Sequence, residues 1–315
     1  MDMYQKRKKR KEMKNDENKK EMQNQMNINW YPGHMAKTKR QLIEELKLID
    51  VVIEIVDARI PMSSRNPDIL EITKNKKRVI ILNKSDLANE TENVKWQKYF
   101  KINETSCCIV DSNSGKGINN VLTEVENLMS DELKRYEAKG RIGKPIRVAI
   151  LGIPNVGKSS FINRIAKKST MIVGNKPGVT KQNKWLRINS KIELLDTPGV
   201  LWPKFENKEV GLNLAFTGSI KDDILDKVEV AYYLIEKLYR DNKDALITRY
   251  KLEEKDIENM KNEPNEIYAL FEVIAKKRGA ILSGGRIDEE KAASIILDDF
   301  RSGKIGKITL ERCNK

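Results

Sequence analysis

Between Ile146 and Ala166 a strand pattern, a glycine-bounded turn and a helix pattern follow one another without a break. Ile146-Arg147-Val148-Ala149-Ile150-Leu151 is a short apolar run suited to a buried strand. Phe161-Ile162-Asn163-Arg164-Ile165-Ala166 has the apolar spacing of an amphipathic helix. Between them stands Gly152-Ile153-Pro154-Asn155-Val156-Gly157-Lys158-Ser159-Ser160. This is the context a phosphate-binding loop requires: glycines permit the turn and close approach, and successive N–H groups meet an anion at a helix N-terminus. The expected phosphate ligands are Asn155, Val156, Gly157, Lys158, Ser159 and Ser160. Lys158 is expected to reach the β- and γ-phosphates, and the Ser159 hydroxyl to ligate Mg²⁺. A nucleoside triphosphate is the implied ligand.

The rest of the 28–204 segment alternates short strands and helices, which specifies a doubly wound α/β sheet with ligands at strand C-termini. Strands are predicted at 51–57, 78–82, 106–110, 146–151, 184–188 and 191–195. Helices are predicted at 36–48, 66–75, 91–101 and 117–137, the first with Leu42, Ile43, Leu46 and Ile49 on one face. After Pro203 the pattern is helical only, at 209–217, 222–240, 243–250, 266–277 and 288–301. A small all-α domain is therefore expected over 205–315. Residues 1–27 are Lys, Asn, Glu, Gln and Met without apolar period, and read as a disordered basic arm.

Asn83-Lys84-Ser85-Asp86 follows the second predicted strand. A carboxylate at Asp86 can accept hydrogen bonds from the ring N–H and 2-amino group of guanine, which adenine does not offer. Asn83 is expected to support the ring and neighbouring backbone, the Lys84 stem to lie along the base, and amides near Ser112 to meet the 6-oxo group. The triphosphate is then GTP. Asp196-Thr197-Pro198-Gly199 supplies a third element, with Asp196 holding Mg²⁺ through water and the Gly199 N–H sensing the γ-phosphate. Thr180 is the candidate switch threonine on Mg²⁺.

Net charge is +14, and it is unevenly placed. Residues 1–40 carry 12 Lys and Arg against 5 Asp and Glu, and residues 141–220 carry 14 against 4, while the remainder nearly balances. One nucleotide does not account for that excess, and a polyanion such as RNA is the economical partner. Three cysteines without a Cys-x-x-Cys pair argue against a zinc site or disulfide framework and fit a reducing cytoplasm. No run is long and apolar enough to span a membrane, and no secretory signal or mitochondrial transit peptide is expected.

The order of the motifs is inverted, because Asn83 to Asp86 precede both the phosphate loop and Asp196 to Gly199. This order resembles the circularly permuted GTPases. Asn29 to Lys37, Asp57-Ala58-Arg59-Ile60-Pro61, Asn83 to Asp86, Gly152 to Ser160 and Asp196 to Pro203 are similar to the ribosome biogenesis GTPase A (YlqF-type) family over about 28–315. The resemblance implies a GTP-hydrolysing assembly factor, expected to be monomeric, for the large ribosomal subunit. It would bind the rRNA and proteins of the precursor in the GTP state and leave after hydrolysis. A GTP-dependent RNA-binding scaffold with little turnover is the alternative, separated by whether precursors stimulate hydrolysis. Val200 stands where a glutamine usually orients the attacking water. His34 is the only histidine, and the resemblance implies that it positions that water. In related potassium-activated GTPases an asparagine at the place of Asn155 helps ligate K⁺, which implies the same here.

Overall fold

The computed structural model describes residues 40, 42–103, 106–141, 143–168, 185–196 and 207–313. The apolar runs become six strands of one sheet: β1 Val51–Asp57, β2 Lys77–Asn83, β3 Cys107–Ile109, β4 Ile146–Leu151, β5 Trp185–Arg187 and β6 Ile192–Asp196. Their order is β3-β2-β1-β4-β6-β5, parallel except for β5 on the edge. Every residue of β1 is buried, as a central parallel strand covered on both faces demands. Pairing in register sets Asp57 beside Asn83, and Ile150 beside Asp196. The winding reverses between β1 and β4, so the crevice where such sheets bind ligands opens at the ends of these strands.

The helices follow the connections: α1 Pro67–Ile72, α2 Glu90–Asn103, α3 Ile118–Ala138 and α4 Lys158–Lys168. In α1 the Asn66 side chain caps the Asp68 N–H at 2.9 Å, with proline in the first turn. In α3, Ile118, Val121, Val125 and Met129 are buried at helical spacing against the sheet core. Residues 42–46 are helical, and Leu42, Leu46 and Ile49 are buried as predicted. Ile43 is not, being 41 % exposed, because it lies about 100° around the helix from Leu42.

Beyond residue 207 the chain forms α5 Lys208–Phe216, a 3₁₀ turn Asp222–Ile224, α6 Lys227–Asp241, α7 Lys243–Tyr250, α8 Glu254–Lys261, α9 Glu266–Lys277 and α10 Glu289–Arg301. Two predictions need correction. The helix expected over 222–240 is broken, since Leu225 is extended and Asp226 caps a new start by accepting the Glu229 N–H at 3.1 Å. The unpredicted α8 begins at a capping box in which Glu253 replaces the usual serine or threonine and Asp256 returns a bond to its N–H. The pair α6 and α10 forms the centre of this region, with Ala231, Leu234, Ala292, Ile296 and Phe300 all buried.

Residues 303–313 then run back to the sheet. The Ile308 N–H donates to the Leu87 carbonyl at 3.0 Å, the Leu310 N–H to the Arg59 carbonyl at 2.8 Å, and Trp96 Nε1 to the Glu311 carbonyl at 2.8 Å. Glu311 accepts from the amides of Met62 and Ser63 and from Asn213 Nδ2. The helical region is thus fastened to the first half of the sheet.

The fastening converges on a buried ion pair. Arg59 Nε and Nη2 lie 3.0 and 2.8 Å from the Asp57 oxygens, and Lys84 Nζ lies 3.0 Å from Asp57 Oδ2. The Arg59 guanidinium also stands 5.3 Å from the centre of the Phe300 ring. Burial alone would raise the Asp57 carboxyl, but the Arg59 and Lys84 charges outweigh it and hold it well below the ordinary range. Replacing Arg59 by alanine leaves a buried carboxylate short of its partner, so a loss of about 3–5 kcal/mol in denaturant unfolding is expected. Because the folded value is depressed, the pair's contribution is complete above the unfolded value of about 3.9 and is lost as pH falls from there toward the folded value. The gap between wild type and Arg59→Ala should accordingly narrow below about pH 4.

Candidate nucleotide-binding site

A cavity of about 430 Å³ opens at the C-terminal ends of β2 and β4 and at the loop after β3. It is lined by Asn83, Lys84 and Leu87, by Asp111, Ser112 and Asn113, by Asn155 and Gly157 to Ser160, and by Arg301. Of the residues expected at a guanine nucleotide, it gathers Asn83, Lys84, Ser112, Asn155, Gly157, Lys158, Ser159 and Ser160. His34, Thr180, Gly199 and the arm 1–27 lie outside the described residues.

Asn83 organises the loops. Its Nδ2 donates to the Val156 carbonyl at 2.7 Å, while Oδ1 accepts the Ser112 hydroxyl at 2.7 Å and the Ser112 N–H at 3.2 Å. One buried amide side chain therefore joins the end of β2 to the loops after β4 and β3. Ser112 acts through Asn83, since both its hydroxyl and its amide are turned that way. Asp111 folds the same loop by accepting the Asn113 N–H at 2.8 Å, and Arg164 of α4 donates to the Ser114 carbonyl.

The phosphate loop is shaped for close approach. Gly157 has φ +97°, and a Cβ there would stand 2.3 Å from Asn83 Nδ2. At Gly152 a Cβ would meet the Ile55 carbonyl at 2.7 Å. Lys158 begins α4 with Nζ 3.3 Å from the Gly152 carbonyl, its stem folded over the loop. Asn155 holds a left-handed φ of +60° and its Nδ2 donates to the Gly218 carbonyl at 2.6 Å. The Asn155 oxygen is the atom with the chemistry to meet a cation. Ser159 presents its hydroxyl in the first turn of α4, and Asp196 ends β6 beside the phosphate-loop strand. A hydroxyl and a carboxylate are hard oxygen donors of the kind Mg²⁺ takes.

Asp86 precedes Leu87 in the chain but, like Val156, does not itself line the cavity. Its Oδ1 is buried with no hydrogen-bond partner among the described residues. Burial, then the nearby Asp111 charge, raise its carboxyl above the ordinary range. A native structure seldom leaves such an acceptor unsatisfied, and the two N–H donors on one edge of guanine would satisfy it. The Lys84 stem lines the cavity while its ammonium is committed to Asp57, and its φ of +57° gives the turn that leads into Asp86.

Sequence reasoning did not find Arg301. It arrives from α10, donates to the Ala215 and Phe216 carbonyls at 2.9 and 3.1 Å, and pairs with Asp222 at 2.8 Å. It thereby closes the C-terminus of α5 and reaches the cavity wall. No local motif marks it, because its partners lie 79 to 86 positions earlier in the chain.

Comparison with known proteins places this geometry. A family model described as 50S ribosome-binding GTPase matches residues 147–276. The chain is 45 % identical to ribosome biogenesis GTPase A of Bacillus licheniformis, over 91 % of this chain and 99 % of the relative. It is 44 % identical to the protein of the same name from Bacillus cereus, over 91 % and 94 %. The crystal structure of GNP-bound YlqF from T. maritima shares the fold at a TM-score of 0.61, with 24 % identity, covering 89 % of this chain and 99 % of that one.

Gly157→Ala provides a direct check of the cradle. The added methyl would strain the left-handed backbone and strike Asn83, so nucleotide binding should fall at least about tenfold while the helical circular dichroism persists. Titration with a fluorescent GDP analogue measures the first, and far-ultraviolet spectra the second.

Proposed function

This chain belongs to the ribosome biogenesis GTPase A family, whose members hydrolyse GTP, and we propose that it serves as a nucleotide-dependent assembly factor for the large ribosomal subunit. In this reading it engages the rRNA and proteins of the precursor in the cytoplasm as a monomer in its GTP form, and leaves after hydrolysis. The observation that supports the guanine assignment is the buried, unbonded Asp86 oxygen in a loop whose Asn83, Lys84 and Leu87 line the same cavity as the phosphate loop. The ribosomal partner is supported by the names of the relatives and by the positive charge of residues 141–220.

Each residue then has a role. The amides from Asn155 to Ser160 and the Lys158 ammonium hold the β- and γ-phosphates, and Asn83 keeps that loop in register with the base end. Ser159, Thr180 and Asp196 would hold Mg²⁺, which when bound neutralises charge on the phosphate oxygens. Asn155 would offer its carbonyl oxygen to K⁺, and the Gly199 N–H would report the γ-phosphate. Val200 cannot orient water, so that work falls to His34 once the precursor is bound.

Sedimentation tests the partner: the protein should travel with large-subunit precursors in a non-hydrolysable GTP analogue and separate from them in GDP. Equal association in both nucleotides would overturn the reading. Asp86→Asn replaces an acceptor by a donor that matches the 2-oxo group of xanthine, so preference should shift from GDP toward xanthosine diphosphate by more than about tenfold. Competition binding with the two nucleotides measures it.

A further inference from the structure

The loop that carries Asp86 is held from outside by the segment that follows α10. Its Leu87 carbonyl accepts the Ile308 N–H at 3.0 Å, and its Asn89 N–H donates to the Thr309 hydroxyl oxygen at 3.1 Å. Lys307 pairs with Glu90 one residue further on. Gly303 has φ +74°, and a Cβ there would stand 2.8 Å from Leu87 Cδ2, so the segment passes directly against the side chain that lines the cavity. On the other flank, Leu310 donates to the Arg59 carbonyl, Arg59 pairs with Asp57, and Asp57 holds Lys84. The strap's direct contacts fall on Leu87, Asn89 and Glu90 just after Asp86, and its indirect tie through Arg59 and Asp57 falls on Lys84 just before it, while Asp86 Oδ1 has no hydrogen-bond partner among the described residues.

A carboxylate that reads two N–H donors works only within hydrogen-bond distance, near 3 Å, so its selectivity depends on where its loop is held. We propose that residues 303–313 form a positioning strap for base recognition: they set the place of Asp86, and through it the affinity and selectivity for guanine. The inference rests on the reading of Asp86 as the base-contacting residue. It makes the helical region an arbiter of nucleotide release, because a partner that draws on α10 displaces the strap and loosens the base before it disturbs the phosphates. None of the strap residues lines the cavity, so Thr309 and Lys307 are positioning residues.

The test compares GDP with inosine diphosphate, which keeps the phosphates and sugar but lacks the 2-amino group that Asp86 would read. Thr309→Val retains shape and deletes the acceptor of the Asn89 N–H, and Lys307→Ala deletes the ion pair at the neighbouring turn. Release of each nucleotide from the full-length protein is followed by stopped-flow displacement, with thermal unfolding measured alongside. Thr309→Val is expected to release GDP about three- to tenfold faster, the cost of one hydrogen bond, with inosine diphosphate release little changed. The wild-type preference for GDP should shrink accordingly, and Lys307→Ala should move it in the same direction by less. An unchanged preference in both variants overturns the strap, and so does equal acceleration of both nucleotides, which would mark a general loosening of the fold. If Thr309→Val does not fold, the Lys307→Ala ratio decides. Failure of the underlying reading looks different: wild type would not distinguish the two nucleotides, and Asp86→Asn would not turn toward xanthine.

Discussion

A carboxylate buried at the end of a central parallel strand has to be answered, and the answer organises this molecule. Asp57 closes β1, out of contact with water, and is held by Arg59 from the following turn and Lys84 from the end of β2. Desolvating two charges costs several kcal/mol each, so the arrangement persists only because the hydrogen bonds around it are complete. Completing them recruits the whole chain. Arg59 Nη1 approaches the Arg301 carbonyl at 3.4 Å, its ring neighbour is Phe300, and its own carbonyl takes the Leu310 amide. The sheet, the last helix and the C-terminal segment therefore meet at one residue that a surface view would not reveal.

That junction also explains how a permuted chain keeps its site assembled. In the order found here, the base-reading half comes first and the phosphate-binding half second, with α3 and the segment after it in between. Nothing covalent keeps Asn83 near Val156, 73 positions away. The side-chain amide does so, reaching the Val156 carbonyl and Ser112 together. Register does the rest: β1 pairs with β2 through all seven residues, so Asp57 and Asn83 end level, while β4 on its other edge stops opposite Glu54 and leaves room for the phosphate loop beside the end of β1. A shift of one residue would turn the buried Glu54 away from Arg65 and Arg78, its charged partners, and leave that carboxylate unpaired in the core.

Much of this was legible in the chain because the signals were local. The apolar runs mark the strands, and the glycine spacing with Lys158 and Ser159 marks the phosphate loop. The tetrapeptide singled out Asp86 as the proposed base reader, and the structure leaves its buried Oδ1 without a hydrogen-bond partner among the described residues. What escaped depends on distant partners or on an uncommon local choice. Glu253 as a helix cap is an unusual use of glutamate, so α8 was missed. Leu225 belongs to the apolar pattern of the predicted helix but is extended, because Asp226 competes for the helix start. Asn83 was expected to support the base and the neighbouring backbone, and its hydrogen bonds to the Val156 carbonyl and to the Ser112 N–H and hydroxyl make it a clip between loops. Arg301 was invisible, since only the packing of α10 against α5 and the 3₁₀ turn brings it to the cavity.

The helical region lines the cavity through Arg301 and holds the loops around it at two further points, and this decides how the two can influence each other. At the phosphate end, Asn155 donates to the Gly218 carbonyl, in a turn whose glycine faces the Arg301 guanidinium. At the base end, residues 303–313 fasten Leu87 and Asn89. Arg301 stands between them, fixed to the end of α5 and to Asp222. Each of these bonds is worth about 0.5–1.5 kcal/mol, so breaking one or two suffices for the coupling of about 1–3 kcal/mol that allosteric proteins use. A partner on the helices need not unfold anything to change nucleotide affinity tenfold. It need only favour an arrangement in which Gly218 or Ile308 has moved by an ångström. If Asn155 and Asp86 meet the nucleotide as proposed, reciprocity requires that the nucleotide satisfying them best also favours the helical arrangement that holds them, which is the thermodynamic content of a switch.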